Sequence, residues 1–294
     1  MRIKDTFGDK VFNAIIYIIL ALLVLIVLYP LWLVVINSFS DANAVSLGKV
    51  TIFPVGFNLD AYIETFSYDK VMTGYLNSLY YTVVGTVLSL LLTIPVAYAL
   101  SKRNLKGRGL MMGLFTLVMY FSGGLIPEYI NIRNLGLNNT REVVLLVGGL
   151  SVYNMIVARS FFESGVPHEL EEAAEIDGCN QLQTFIRIVL PISKAMIGVI
   201  TLYYAVAKWN GFTPSLYYQT MTPEYHSLQM VLRDLIMRAQ NSVTMQGEDA
   251  VYYAELLNKI KYSVIVVASV PMLVIFPFVQ KYFDKGVMLG SVKG

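Results

Sequence analysis

The residues best placed to do chemistry in this chain of 294 residues lie in one polar stretch, 167–191, which reads PHELEEAAEIDGCNQLQTFIRIVLP. It gathers Glu169, Glu171, Glu172, Glu175 and Asp177, with Glu163 just upstream, in a chain that is 56% hydrophobic and only 14% charged. The chemistry on offer is recognition rather than bond making. No GxxxxGK[ST] loop occurs to cradle nucleotide phosphates, and neither HExxH nor GxSxG is present. The two histidines, His168 and His226, fall in opposite loops, and the single cysteine, Cys179, excludes an internal disulfide framework or a CxxC site. No acidic or basic residue interrupts an apolar run, where a proton or ion relay would need one. The residues therefore predict no catalytic site, no metal site and no cofactor held by this chain, and a net charge of +2 gives no reason to expect nucleic acid.

The polar stretch must be positioned by elements on either side. Pro167 suits a first helical turn, and Glu169, Glu171 and Glu172 complement the positive end of a helix dipole. Gly178 can take the left-handed conformation that ends a helix, and Pro191 is expected to stop a second short helix after Leu190. The result is a helix–turn–helix hung between apolar segments, which is the form of a docking element.

Those apolar segments fix the class. An ordinary soluble domain has about 25% charged residues, so 14% marks an all-α integral membrane protein. A charge at mid-bilayer costs about 2.5–3.5 kcal/mol, which makes charge-free runs the signal for spans. Runs of this kind predict six transmembrane helices, at about 11–40, 73–101, 110–127, 143–158, 195–209 and 262–280. They leave a loop at 159–194 that holds the acidic hairpin, and loops at 41–72 and 208–261 on the other side, within one transmembrane domain covering 1–294. Basic residues orient the set. Lys102, Arg103, Lys106 and Arg108 crowd the short loop after the second span, and Arg159, Arg187, Lys194, Lys281, Lys285 and Lys293 fall on the same side. By the positive-inside rule both termini and the hairpin are cytoplasmic. In the 208–261 loop, Leu228, Val231, Leu232, Leu235 and Ile236 recur at helical spacing, which predicts an amphipathic helix there.

With these residues placed, the hairpin is identified as a family signature. Glu172-Ala173-Ala174, then Gly178, then Ile188, Leu190 and Pro191 reproduce the EAA–x3–G–x9–I–x–LP pattern of permease subunits of bacterial ABC importers. Asn77-Ser78-Leu79, Ala97-Tyr98-Ala99-Leu100, Ile176-Asp177-Gly178, Trp209-Asn210 and the terminal GSVKG resemble the carbohydrate-uptake permeases, close to the maltose-type inner-membrane subunit. TIPVAYALSKRNLKGR, FSGGLIP and YNMIVARSFFESGVP are similar to the branch that imports complex oligosaccharides.

The resemblance implies a type I ABC importer permease fold in a bacterial inner membrane. It implies a cytoplasmic coupling helix within the hairpin, where Glu172, Ala173, Ala174, Asp177, Gly178, Ile188, Leu190 and Pro191 form the contact with an ATPase subunit. The implied partners are a second, homologous permease, two cytoplasmic ATPase subunits that bind ATP and Mg, an extracytoplasmic solute-binding protein and membrane lipid. The implied substrate is an oligosaccharide, with acidic ones such as alginate or pectin fragments among the options. Sugars are held by aromatic stacking and hydrogen bonds, which makes Asn77, Tyr81, Asn154, Tyr204, Trp209 and Asn210 the expected pathway residues. The tail 286–294 is expected to reach the ATPase interface. Two alternatives carry different expectations: an ABC permease for an amino acid or peptide shares the EAA pattern, and a channel or receptor fits the composition while leaving the full-spaced motif unexplained.

Overall fold

The computed structural model describes residues 6–241 and 260–277, with side chains up to residue 237 in the first of these stretches. Among the described residues the regular structure is helical throughout. The tail 286–294, much of the second half of the 208–261 loop and residues 278–280 of the expected last span lie outside them. The described residues form two compact units, one from 6–68 with 235–241 and 260–269, and one from 69–234 with 270–277.

In the first unit, helix α1 (Phe7–Ser38) begins at a capping box in which Thr6 and Asp9 satisfy each other's backbone N–H groups. Side chains from Phe7 to Trp32 are exposed on every side of α1. A helix apolar all round needs a medium as apolar as itself, and lipid provides one. Its last turn leads into α2 (Ala42–Ser46), capped by Asp41, and then α3 (Asp60–Ser67). Trp32 Nε1 donates to the Ile52 carbonyl at 2.8 Å, and Ser40 Oγ accepts from the Val55 N–H at 3.1 Å. These bonds fold the connecting loop back on the end of α1.

The second unit is built round α4 (Asp69–Ser101), a helix of 33 residues. Further along lie α5 (Arg108–Tyr120), α6 (Leu125–Asn134), α7 (Glu142–Leu146) and α8 (Val152–Gly165). The hairpin follows as α9 (His168–Ile176), α10 (Gln181–Thr184), a π-turn over Phe185–Val189 and α11 (Leu190–Ile192). Then come α12 (Lys194–Asn210), α13 (Thr213–Tyr218), a 3₁₀ turn at Pro223–Tyr225 and α14 (Leu228–Asn241). The last described helix, α15, is Ile260–Pro277.

α4 packs chiefly on α8 and α12. Its buried face carries Ser78, Thr82, Gly85, Thr86, Ser89, Thr93 and Ala97. Small side chains let backbones approach closely, which is how helices associate where lipid supplies no hydrophobic drive. At one end Ile94, Tyr98, Met155, Phe162, Val189 and Ile200 form a core, and at the other Tyr81, Ile132, Val143–Leu145 and Tyr218 form a second.

Among the described residues three helices are long and apolar enough to cross a membrane: Phe7–Ser38, Asp69–Ser101 and Ile260–Pro277. Two bent pairs raise the number to five if each counts as one span, α5 with α6 (114°) and Gln181–Ile192 with α12 (82°). The expected segment 110–127 runs through the first bend, where Gly124 sits at φ 86°. The expected segment 143–158 is divided between α7 and α8 by a loop in which Gly148 sits at φ 67°. Charge-free runs measure apolarity and are blind to glycines that turn the chain within it.

Candidate functional site

The hairpin takes its shape from local bonds. Pro167 is the cap residue of α9, with its backbone extended, so the first helical residue is His168. At the other end Gly178 adopts φ 82°. Its N–H donates to the Glu175 carbonyl at 3.0 Å, and the Cys179 N–H donates to the Ala174 carbonyl at 2.9 Å. This pair of bonds is a Schellman motif, which closes a helix when the following residue turns left-handed. The next helix starts at once, because Asn180 and Gln183 form a second capping box with bonds of 2.9 and 3.0 Å. Pro191 does not stop it. The Leu190 N–H reaches back five residues to the Phe185 carbonyl, and in this wider turn the missing N–H of Pro191 is absorbed. The chain breaks at buried Ser193 instead.

One side of α9 is tied to the end of α4. Tyr98 Oη donates to Glu171 Oε1 at 3.1 Å, and Lys102 forms an ion pair with the same carboxylate. The Lys102 ammonium lies 4.2 Å from the centre of the Tyr98 ring, which in turn stacks on Phe185 at 4.7 Å. Nearby, Glu163 accepts from Arg159 at 2.7 Å and pairs with Arg108, and Arg159 Nε donates to the Leu100 carbonyl at 3.0 Å. A cleft of about 430 Å³ opens between α9, α10 and the loop after α4, lined by Tyr98, Lys102, Glu171, Glu172, Cys179 and Thr184 among others.

The signature residues divide by side. Ala174 is buried against the body and Ile188 and Leu190 are half-buried. Glu172, Ala173, Asp177, Gly178 and Pro191 are exposed. Ile176 stands beside them 87% exposed, an apolar side chain at the tip of an acidic element. The outward face thus combines small, acidic and apolar groups, the mixture a protein partner can bury. The inward face is fully engaged.

Of the expected pathway residues, Asn77, Tyr81, Trp209 and Asn210 lie toward the opposite end of α4, while Tyr204 belongs to the core at the hairpin end and Asn154 adjoins Met155 of that core; most have partners inside the protein. Asn77 Nδ2 donates to the carbonyls of Glu224 and His226 at 2.8 and 3.0 Å. Tyr81 Oη donates to the Tyr225 carbonyl at 2.7 Å and accepts from Gln219 Nε2 at 3.2 Å. Tyr204 Oη bonds Thr93 Oγ1 at 2.6 Å and accepts the Ser151 N–H at 2.9 Å. Asn154 is buried, with its backbone N–H donated to the capping Ser151 Oγ. Trp209 is buried with Tyr75 edge-on at 5.7 Å, and Asn210 is exposed. The sequence did not single out two residues that organise this end. Lys208, placed by charge in a loop, lies in α12 and donates to the carbonyls of Val144, Leu145 and Val147 at 2.8, 3.0 and 2.9 Å. Its stem crosses α4 at Gly85, where an added Cβ would meet it at 3.2 Å. Arg141 lies over the rings of Tyr225 and Tyr80. A lone lysine between an apolar run and Trp209-Asn210 was the one available signal.

Residues 71–289 match the family described as binding-protein-dependent transport system inner membrane component. A polygalacturonan/rhamnogalacturonan transport system permease protein of Bacillus subtilis is 37% identical over 97% of this chain and 99% of its own length. A second B. subtilis protein, LplC, is 39% identical over 92% of this chain and 90% of its own. Among solved structures, a chain of a bacterial ABC transporter involved in the import of the acidic polysaccharide alginate superposes with a TM-score of 0.86 at 31% identity. The match covers 96% of this chain and 99% of that one.

Proposed function

This chain belongs to the family of inner membrane components of binding-protein-dependent transport systems, and we propose that it is a permease subunit of an ATP-driven importer of oligosaccharides that carry uronic acids. The observation that carries the reading is near-full-length similarity to two proteins named for acidic polysaccharides, one by sequence and one by structure. A permease needs no bond-breaking site. What it needs is a surface that receives displacement from an ATPase and spans that convert it to alternating access.

On this reading the outward face of α9, with Glu172, Ala173, Asp177 and Ile176, docks in a cleft of a cytoplasmic ATPase subunit. Small Ala173 permits close approach, and Glu172 accepts a charge-assisted hydrogen bond from a basic group. ATP and Mg belong to that subunit. Glu171, held by Lys102 and Tyr98, passes the displacement to α4. A second permease completes the pathway, and a solute-binding protein delivers substrate at the far pole, near Asn77, Tyr81, Trp209 and Asn210, with Tyr204 deeper along the path. Both termini face the cytoplasm, in keeping with the basic loop at 102–108 beside the hairpin.

The test is Glu172→Ala in the complete transporter reconstituted in vesicles. Uptake is expected to fall below a tenth of the wild-type rate while membrane insertion persists and the ATPase subunit co-purifies less well, the loss of one charge-assisted contact being worth about tenfold or more. Wild-type uptake by this variant would remove Glu172 from the coupling surface.

A further inference from the structure

At the pole of α4 away from the hairpin, Arg141 presents a guanidinium between two tyrosine rings, 4.9 Å from the centre of Tyr225 and 5.9 Å from that of Tyr80. Arg141 is exposed, as is Tyr80. Among the described residues no carboxylate lies within ion-pair distance of it, and its guanidinium donates no hydrogen bond to the protein. Half-buried Arg108 and Arg159 share Glu163, whereas exposed Arg103, Arg133 and Arg187, like Arg141, form no ion pair among the described residues; of the exposed four, Arg141 is the one set against two tyrosine rings. Arg141 touches two ring faces and is otherwise unspent.

Its setting is rigid. The Tyr225 backbone is fixed by three consecutive carbonyls, those of Glu224 and His226 by Asn77 and its own by Tyr81. Tyr80 lies in the body of α4, its ring 5.7 Å from that of Tyr81. Arg141 precedes α7, whose last carbonyls are held by the ammonium of Lys208. Much of the polar bonding at this pole thus serves to hold one arginine and two rings in place. From Tyr80 to Lys102 along α4 is about 33 Å, so the platform faces the side from which substrate arrives.

The geometry points to Arg141, Tyr80 and Tyr225 as a subsite for the carboxylate of a uronic acid residue in the transported oligosaccharide. Contact with two ring faces restricts the guanidinium and leaves its N–H groups without a protein acceptor among the described residues, a fork that matches a carboxylate in two parallel bonds. Tyrosine faces beside it suit the apolar face of a pyranose ring. Sugar charge and sugar ring are read together, and a neutral ring has no claim on the fork.

This inference rests on the acidic-oligosaccharide reading above, and one experiment separates the two. The complete transporter with its binding protein is reconstituted in vesicles, and uptake of trigalacturonate and of trimannuronate is measured against ATP hydrolysed, for wild type, Arg141→Gln and Arg141→Lys. Arg141→Gln is expected to lower the sugar moved per ATP about tenfold, as loss of a bidentate charged contact requires. Arg141→Lys should fall between, because it keeps the charge and loses the fork. Unchanged uptake per ATP in Arg141→Gln overturns the subsite. So does a variant that moves sugar normally per ATP and needs more binding protein for half-maximal stimulation, which would make Arg141 a contact for that protein. A variant that no longer assembles with the second permease also overturns it. Wild-type vesicles that take up neither sugar overturn the acidic-oligosaccharide reading, and the subsite falls with it.

Discussion

Glu171 and Glu172 are neighbours in sequence with opposite tasks. Glu171 is satisfied from within, by Tyr98 and Lys102, while Glu172 is exposed. Replacing a partly buried, charge-bonded carboxylate costs about 1–3 kcal/mol. Glu171→Gln is therefore expected to speed amide exchange over 168–179 by tenfold or more, and Glu172→Gln to leave it as it is. Equal protection in the two variants would contradict the division. Lys208 makes a second residue-scale claim. Lys208→Met keeps the stem and removes the donor from three carbonyls, a loss of about 1–3 kcal/mol for the acceptors stranded. The purified protein should melt at a lower temperature, with Lys208→Arg intermediate, since a planar fork cannot converge on three acceptors as an ammonium does.

At the scale of elements, contact distances at the glycines decide which helix crossings are tight. A Cβ at Gly74 would lie 3.0 Å from Val231 Cγ2 and 3.2 Å from Leu228 Cα, which is backbone. At Gly85 the neighbour is the flexible stem of Lys208. Gly74→Ala is thus expected to destabilise more than Gly85→Ala, measured as the difference in unfolding midpoint. The reverse order would mean that α14 yields more easily than a lysine side chain. Much of this was legible beforehand. The EAA spacing, the turn at Gly178 and the apolar runs are local signals, and helical periodicity announced α14 from Leu228 onward. Three features were hidden. The break between α7 and α8, the wide turn that absorbs Pro191 and the reach of Lys208 to α7 depend on partners dozens of residues distant or on a bond register no composition encodes. Asn77 and Tyr81 were singled out as polar groups beside a span, and their partners in the 223–226 segment emerged only in three dimensions.

For the molecule as a whole, α4 joins two poles, one ending in the Lys102–Glu171 tie and the other bearing Tyr80, Tyr81 and Asn77. If that tie transmits the ATPase stroke, charge reversal should be additive in no simple way. Lys102→Glu should abolish uptake, and the double change Lys102→Glu with Glu171→Lys should recover a substantial part of it. Absence of rescue in a correctly assembled double variant would argue for another route. The two-sided build of α9 has a consequence for inheritance. Since the residues that hold the element to its own body are distinct from those it presents outward, the outward ones can be rewritten without refolding it. If the outward face is the ATPase contact proposed above, such a permease could change allegiance from a dedicated motor to a shared one by drift at exposed Glu169, Glu172, Ala173 and Ile176 alone. Lineages should accordingly diverge in motor preference while Tyr98, Lys102 and Glu171 stay as they are.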